Sequence, residues 1–396
     1  MTSPTEQVRP NALLRLWRDK SARSVIIQIV TVALVFALLA FMVDNAVQNL
    51  ARLGKTFGFS FLWEPASYDI NQRLIDYTSR DSHLRAMFVG ILNTALVAAF
   101  GIVLATILGF VFGVLRLSGN WLISRIVYCF IEFTRNVPIL LHILFIHGLI
   151  IHLFPVPRNA LDLGEAAFLT NRGIFMPTPV FEDGFGWTVA ALVVAIAGTW
   201  GFRSWARRAQ DRTGRIYPVL WIGLAAIIGL PGIVFWITGS PLAWEVPALR
   251  GFNFRGGMVL RPEFLALWLA LSYYTSAYIA EIVRAGILAI DHGQTEASHA
   301  LGLRPNRTLR LIIIPQALRV IIPPLTSQYL NLTKNSSLAI AIGYMDIVAT
   351  IGGISLMQTG REMESMMIVL AIYLSFSLLI SALMNWYNAR VRLVER

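Results

Sequence analysis

The chain has few charged residues and almost no cysteine. Of its 396 residues, 14% are charged and 56% are hydrophobic, whereas a typical soluble domain is about 25% charged. This much apolar surface cannot be hidden in a water-soluble core, which argues against a soluble enzyme and a disordered chain. Cys129 is the one cysteine, so an internal disulfide and a cysteine metal cluster are excluded. The composition is typical of a membrane protein.

A positive net charge does not indicate nucleic-acid binding in this chain. The net charge is +11, yet the basic residues lie in short loops between apolar segments and form no separate basic domain. We therefore expect a lipid bilayer around the chain and no nucleic-acid partner.

Long apolar runs predict an all-α membrane protein with about eight transmembrane helices. A hydrocarbon core of ~30 Å needs ~20 apolar residues in a helix, and continuous runs favour helices over a barrel. We expect Pro323 and Pro324 to break the seventh span. The predicted spans are Val25–Val43, Ala86–Leu115, Val127–Phe154, Trp187–Phe202, Tyr217–Thr238, Phe264–Ala280, Ala317–Ile342 and Met366–Tyr387.

The loop charges predict that both termini are cytoplasmic. With the N-terminus inside, the inner segments carry almost twice as many Lys and Arg residues as the outer ones, as the positive-inside rule requires. Val25–Val43 follows an arginine-rich tail, so a cleaved signal peptide is an alternative. The length of the run and the lack of a clear cleavage site favour a retained helix.

A short cytoplasmic helix is predicted between the sixth and seventh spans. Thr295 would cap its start, Glu296 would complement its positive end, and Gly302 would end it in a left-handed conformation. Pro305 would prevent the helix from resuming. Such an exposed helix could be a binding site for another protein, or it could be a loop helix that only connects two spans.

This helix resembles the EAA loop of permease subunits of ABC importers. The chain departs from the usual signature at Ser298, where alanine is common, and at Ile314, where leucine is common. Both changes are mild and leave the helix and its glycine stop intact. The resemblance implies that the loop contacts a partner ATPase through Glu296, Ala297, Ser298, Gly302 and Pro315.

Further motifs resemble polar amino-acid permeases of the histidine/glutamine type. They are Tyr278–Gly286, Glu132–Leu140, Pro315–Arg319 and Asn331–Leu338. The resemblance covers 86–154 and 264–387 and implies a five-helix permease core. With its long insertion, the chain resembles the permeases of general L-amino-acid or glutamate/glutamine/aspartate/asparagine importers.

The resemblance divides the chain into segments. The core would be interrupted by one insertion and preceded by one additional helix. We expect a cytoplasmic tail at 1–24, an extra helix and periplasmic loop at 25–85, the first part of the core at 86–154, an insertion with two extra helices at 155–262, the second part of the core at 263–389 with the coupling loop at about 291–315, and a cytoplasmic tail at 390–396.

The resemblance also implies partners in a bacterial inner membrane. They are a periplasmic amino-acid-binding protein, a cytoplasmic ATPase dimer that binds ATP and Mg, and a second permease subunit in a heterodimer, with a homodimer as the alternative. The chain itself would bind no cofactor and have no catalytic residue. Its nearest match to a phosphate-binding loop, Asn49–Thr56, lacks the first glycine and follows a membrane helix, so we reject it.

Ionisable residues near the cytoplasmic ends of spans are predicted to form structural ion pairs or to contact the ATPase, with substrate binding as a less favoured alternative. A buried charge in a membrane is costly unless it is paired. Glu132 and Arg135 are three residues apart, as are Glu281 and Arg284, so each pair can form within one helix.

Lys334 lies in a polar cluster that is a candidate for the substrate pathway. A cation near a broken helix could face an amino-acid carboxylate; alternatively, Lys334 could extend to the external interface or pair with Asp346. The cluster consists of Asn331, Lys334, Asn335, Ser336 and Ser337.

Two other functions compete with an importer permease. An ion-coupled secondary amino-acid transporter would act alone and would need carboxylates at mid-membrane, but those in the spans lie near their ends. An intramembrane enzyme would need a paired catalytic set, which is not evident. His142, His147 and His152 are five residues apart and do not converge on one face of a helix, so no metal site is expected.

Overall fold

A computed structural model describes residues 20–52, 57–164 and 166–391. Of the described residues, 73% are helical, because the apolar runs satisfy their backbone hydrogen bonds within each segment. Twelve α-helices lie in the described residues: α1 Lys20–Arg52, α2 His83–Arg116, α3 Trp121–Asn136, α4 Ile139–Leu153, α5 Phe185–Thr213, α6 Val219–Ile237, α7 Pro262–Leu288, α8 His292–Ala300, α9 Pro305–Thr308, α10 Ile314–Asn335, α11 Leu356–Thr359 and α12 Glu362–Val391.

Six helical segments of the described chain are long and apolar enough to cross a membrane, or seven with the bent pair α3–α4. The predicted all-α membrane fold is therefore confirmed, with fewer clear spans than the eight expected. The span predicted at Phe264–Ala280 lies in α7, which is long enough but carries a run of hydroxyl-bearing residues, Ser272–Ser276, that lowers its hydropathy. The tails at 1–19 and 392–396 lie outside the described residues, as do residues 53–56 of the rejected phosphate-loop match.

The third predicted span is sharply bent. Helices α3 and α4 meet at 107° across Val137 and Pro138, so the span predicted at Val127–Phe154 is a bent helix pair and not one continuous helix. Val137 is extended, with φ −100° and ψ 132°, because a proline disfavours helical geometry in the residue before it.

The predicted break at Pro323 and Pro324 is also wrong. Helix α10 runs through both prolines to Asn335, and a 3₁₀ segment, Ser336–Ile342, continues it. Before α10, a π-helical turn at Leu309–Ile313 joins it to α9, so one helical run extends from Pro305 to Ile342.

Helix α7 is the centre of the core. Helices α2, α4 and α10 all pack on it, and its buried side chains include Leu267, Leu271 and Ile279. Gly109 and Gly113 of α2 let the two backbones approach closely: a Cβ at Gly109 would lie 2.5 Å from the Cβ of Ile279. Small residues permit this kind of contact between membrane helices.

The segment between α1 and α2 folds onto the core. It contains a 3₁₀ turn, Ser60–Trp63, and buries Ile70 and Tyr77. The Tyr68 hydroxyl donates to the carbonyl of Thr350 at 3.3 Å and lies 3.1 Å from Ser355 Oγ. Both partners belong to a π-helical segment, Val348–Ser355.

Short strands, which were not predicted, form in the two loops that flank α5 and α6. A four-stranded antiparallel sheet has the order β1-β2-β3-β8, and two ribbons pair β4 with β5 and β6 with β7. The helices α5 and α6 pack mainly on each other. The strands are β1 Leu161–Asp162, β2 Phe168–Thr170, β3 Gly173–Met176, β4 Thr178–Phe181, β5 Leu242–Glu245, β6 Ala248–Arg250, β7 Asn253–Arg255 and β8 Met258–Leu260.

Candidate functional site

The short helix α8 begins earlier than its sequence predicted. Asp291 caps it, because the carboxylate accepts a hydrogen bond from the backbone N–H of Gly293 at 2.7 Å. The prediction that Thr295 is the cap is therefore wrong: Asp291 has extended-type geometry, with φ −56° and ψ 134°, and a charged acceptor at this position satisfies an otherwise unpaired helical N–H. Thr295 lies within the helix.

The predicted end of α8 is present. Gly302 has a φ of +72°, and its N–H donates to the carbonyl of His299 at 2.9 Å. The N–H of Leu303 donates to the carbonyl of Ser298 at 3.1 Å. These two bonds form a Schellman motif, which satisfies the last carbonyls of a helix.

Pro305 starts a helix, so the expectation that it would prevent the helix from resuming is wrong. It is the first residue of α9, where the missing N–H costs nothing and the fixed φ suits a helix. A turn of only Leu301–Arg304 therefore separates α8 from the next helical run.

Nearly the whole surface of helix α8 is exposed. Of its nine residues, Ser298 alone is fully buried, and its hydroxyl donates to the carbonyl of Thr295 at 2.8 Å. Glu296 keeps 73% of its side-chain surface exposed and lies 3.1 Å from His292 Nδ1. Ala297 and Gly302 are also exposed, as is Pro315 at the start of α10.

An apolar groove separates α8 from the end of α7. It has a volume of about 840 Å³ and is lined by residues such as Ile287, Ile290 and Ile313. Gln294 on α8 also accepts a hydrogen bond from Gln316 on α10 at 3.2 Å. Helix α8 is thus a projecting element, attached to the ends of two core helices.

Of the two predicted ion pairs, the structure brings one together. The Arg284 guanidinium donates to both carboxylate oxygens of Glu281, with its Nε at 2.9 and 3.1 Å. Glu132 instead accepts from the amide of Asn136. Arg135 lies over the ring of Tyr278, 5.4 Å from its centroid.

The candidate pathway residues divide between two cavities. Asn331 and Asn335 line a polar cavity of about 290 Å³. Lys334 and Ser337 line another of about 520 Å³, between α10 and α12. Adjacent residues of a helix point about 100° apart, so Lys334 and Asn335 face different sides of α10. The five residues therefore do not all converge.

Ser336 lines neither cavity and is buried. Its hydroxyl donates to the carbonyl of Thr333 at 2.7 Å and lies 3.4 Å from the Tyr373 hydroxyl. Tyr373 in turn donates to Asp346 Oδ2 at 3.2 Å, and the other carboxylate oxygen accepts from Ala349 N–H at 2.8 Å. In the described chain Lys334 makes no ion pair with Asp346, so that alternative is not supported.

Four further residues of the polar cavity were not predicted. Tyr274, Thr275 and Tyr278 lie on α7, and Gln328 lies on α10. Gln328, Asn331 and Asn335 follow an i, i+3, i+7 spacing, which places amides on one face of a helix. This spacing was the signal in the sequence that could have found the cavity.

The histidines of α4 do not form a metal site. His142 is buried, and its ring contacts the hydroxyl of Tyr273 and the carbonyl of Thr134. Among the residues that the structure describes, no group of three His, Cys, Asp or Glu side chains could hold a metal ion.

Comparisons with known proteins identify the family. The family described as "Binding-protein-dependent transport system inner membrane component" matches residues 212–393. The chain is 49% identical to a putative amino-acid ABC transporter permease protein, YhdX, of Escherichia coli, over 96% of each chain. It is 47% identical to the general L-amino acid transport system permease protein AapQ of Rhizobium johnstonii, over 96% of this chain and 94% of that one.

A third relative and one solved structure are also similar to this chain. The glutamate/glutamine/aspartate/asparagine transport system permease protein BztB of Rhodobacter capsulatus is 46% identical over 96% of each chain. A solved amino-acid ABC transporter structure is 20% identical, with a TM-score of 0.46 over 78% of this chain and 95% of that one. On the full-length sequence identities, this chain belongs to the family of amino-acid ABC transporter permeases, the membrane-spanning components of binding-protein-dependent transport systems.

Proposed function

We propose that the chain is the pore subunit of an ATP-driven importer of L-amino acids in a bacterial inner membrane. It would have no catalytic residue and bind no cofactor of its own. ATP and Mg would be bound by a dimer of cytoplasmic ATPase subunits. A periplasmic binding protein would deliver the substrate, and a second, different permease subunit would complete the pore.

The exposed helix α8 carries this proposal. It is fixed at its start by Asp291, at its end by Gly302, and on its inner side by Ser298. A helix capped at both ends moves as one body, so a push on its surface is passed to α7 and α10. Glu296 and Ala297 are in the outward part of this surface and would contact the ATPase.

The polar cavity between α7 and α10 is the best candidate for the substrate pathway in this subunit. Amide and phenol groups supply both donors and acceptors, which suits the ammonium and carboxylate groups of an amino acid. Asn331 and Asn335 would contact the substrate, with Tyr274 and Gln328 beside them. Lys334 and Ser337 face the other cavity and would act on the pathway only indirectly.

The substrate class proposed is broad-range L-amino acids, or acidic amino acids and their amides. The names of AapQ and BztB support it. A lining of neutral amide, phenol and hydroxyl groups, without a carboxylate or a cation, is compatible with substrate side chains of different charge.

The test is to purify the tagged chain from its native membrane and to measure amino-acid-stimulated ATPase activity. Glu296→Lys should leave the subunits associated or weaken their association, and should abolish the stimulation. Glu182→Lys is the matched control, since it makes the same charge change at an exposed site before α5, beyond the other end of the core.

The subunits that co-purify test the assembly. An ATPase together with a second permease supports the heterodimer, whereas an ATPase alone indicates a homodimer. Uptake by the chain alone in proteoliposomes, driven by an ion gradient and insensitive to Glu296→Lys, would overturn the proposal in favour of a secondary transporter.

A further inference from the structure

The end of α5 carries an arginine cluster that the transport function does not use. Helix α5 has 29 residues, so at 1.5 Å per residue it is about 44 Å long, longer than a ~30 Å hydrocarbon core. Its last turns therefore emerge from the bilayer, and they do so on the side of α8, because α5 and α7 both start at the strands and run away from them. The cluster consists of Arg203, Arg207, Arg208, Arg212 and Arg215.

These arginines are not neutralised by the protein. All five are exposed, and Asp211 is the one acidic residue among them. In the described part of the chain, none of the five guanidinium groups has a hydrogen-bonded or ion-paired side-chain partner. A basic cluster immediately beside a membrane helix attracts anionic lipid headgroups.

An apolar groove leads from this cluster into the membrane region. It lies between α5 and α6, has a volume of about 500 Å³, and includes Arg203 in its lining. The remaining lining is apolar except for Thr199, with residues such as Leu220 and Leu224. The two helices cross closely at Gly223, where a Cβ would lie 2.6 Å from Thr199 Cγ2.

Aromatic rings mark the level of the headgroups. The rings of Trp205 and Tyr217 are 5.1 Å apart, and Phe202 stacks on Trp205 at 5.6 Å. Tryptophan and tyrosine prefer the boundary between hydrocarbon and headgroups. The groove thus extends from this boundary into the apolar region, with Arg203 at its mouth, and the other four arginines lie on the polar side.

We propose that this surface is a binding site for an anionic diacyl phospholipid of the leaflet on the α8 side. Arg203 and Arg207 are four residues apart, on one face of α5, and would hold the phosphate. An acyl chain would lie in the groove between α5 and α6. An extended cationic cluster joined to an apolar groove matches a lipid, since a soluble anion would leave the groove unfilled.

The test uses the purified transporter complex, incubated with equal amounts of phosphatidylglycerol and phosphatidylcholine and examined by native mass spectrometry. The wild type should retain phosphatidylglycerol selectively. Each arginine at an anionic surface contributes roughly fivefold, so Arg203→Gln/Arg207→Gln should lower this selectivity by up to about 25-fold. The lysine double variant at the same positions should retain most of it.

The matched control is Arg250→Gln/Arg255→Gln, which removes two arginines from the β6–β7 ribbon at the other end of the helices. It should leave the lipid selectivity unchanged. The proposal would be overturned if the Arg203→Gln/Arg207→Gln and Arg250→Gln/Arg255→Gln variants had the same selectivity for phosphatidylglycerol, whether both kept it or both lost it. Displacement of the lipid by excess glycerol phosphate would also overturn it, because that result would indicate a site for a soluble anion.

Discussion

Alanine at Gly109 and Gly113 should separate α2 from α7. A Cβ at Gly109 would lie 2.5 Å from Ile279 Cβ and Cγ2, and one at Gly113 would lie 2.7 Å from Val283 Cβ and Cγ1. Ile279 and Val283 are β-branched, so their atoms next to the backbone have no other rotamer to adopt in a helix. The helices themselves must move apart.

The cost follows from this geometry. Restoring a carbon–carbon distance of ~3.5 Å requires a shift of about 1 Å at each site. Overpacking of this kind costs about 1–3 kcal/mol per site, and alanine recovers about 1 kcal/mol over glycine in a helix. The double variant should therefore lose about 2 kcal/mol of stability.

The assay is the apparent thermal midpoint of the purified complex at one scan rate, with amino-acid uptake measured in parallel. We expect the midpoint of Gly109→Ala/Gly113→Ala to fall by roughly 2–5 °C. The control is Gly198→Ala/Gly201→Ala in α5, where a Cβ would meet no atom within 4 Å. Midpoints that are equal in the two double variants would refute the close-contact argument.

Three further predictions concern other parts of the molecule. Gly302→Ala should strain the left-handed residue by about 1–2 kcal/mol and reduce amino-acid-stimulated ATPase activity, whereas Gly302→Asn should retain most of it. Arg284→Gln should lower the thermal stability by about 1 kcal/mol, because both partners remain about one-third exposed; adding Glu281→Gln should recover part of the loss. Burial raises the pKa of Tyr68 to about 12, so its stabilising contribution is present below pH 10 and is lost as the pH rises through 12; midpoints at pH 8 and pH 11 should differ less in Tyr68→Phe than in the wild type.

The membrane-spanning helices could be predicted from the sequence because each is a continuous apolar run. The exceptions are helices in which tertiary packing, and not the local sequence, determines whether a proline interrupts the helix. Pro138 bends one predicted span, while Pro323 and Pro324 do not interrupt α10. A proline in a helix leaves a carbonyl without its partner, and whether neighbouring groups accommodate it depends on contacts that the local sequence does not specify.

The strands could not be predicted for a related reason. Each has two to four residues, and β3 pairs with β8 across the whole α5–α6 pair. Short segments of this kind carry too little alternation to be recognised. The pairing of β3 with β8 depends on how α5 and α6 bring the chain back beside β3.

The candidate site was predictable only in part. The end of α8 follows from Gly302, whose conformation few other residues adopt. Its start was not predicted, because Asp291 and Thr295 are both residue types that can cap a helix and it is Asp291 that holds this position. The polar cluster around Lys334 was grouped by nearness in sequence, whereas the helix turns Asn331 and Lys334 toward different cavities.

Because of the β4–β5 ribbon, the segment that contains α5 and α6 could be deleted from the chain as one unit. Phe181 is paired with Leu242, so the chain leaves for α5 and comes back from α6 at neighbouring points. A two-residue hairpin turn would join these points and preserve the β3–β8 pairing next to them. Such a shortened chain would keep every helix that packs on α7, which gives a direct structural route between long and short forms of one transporter scaffold.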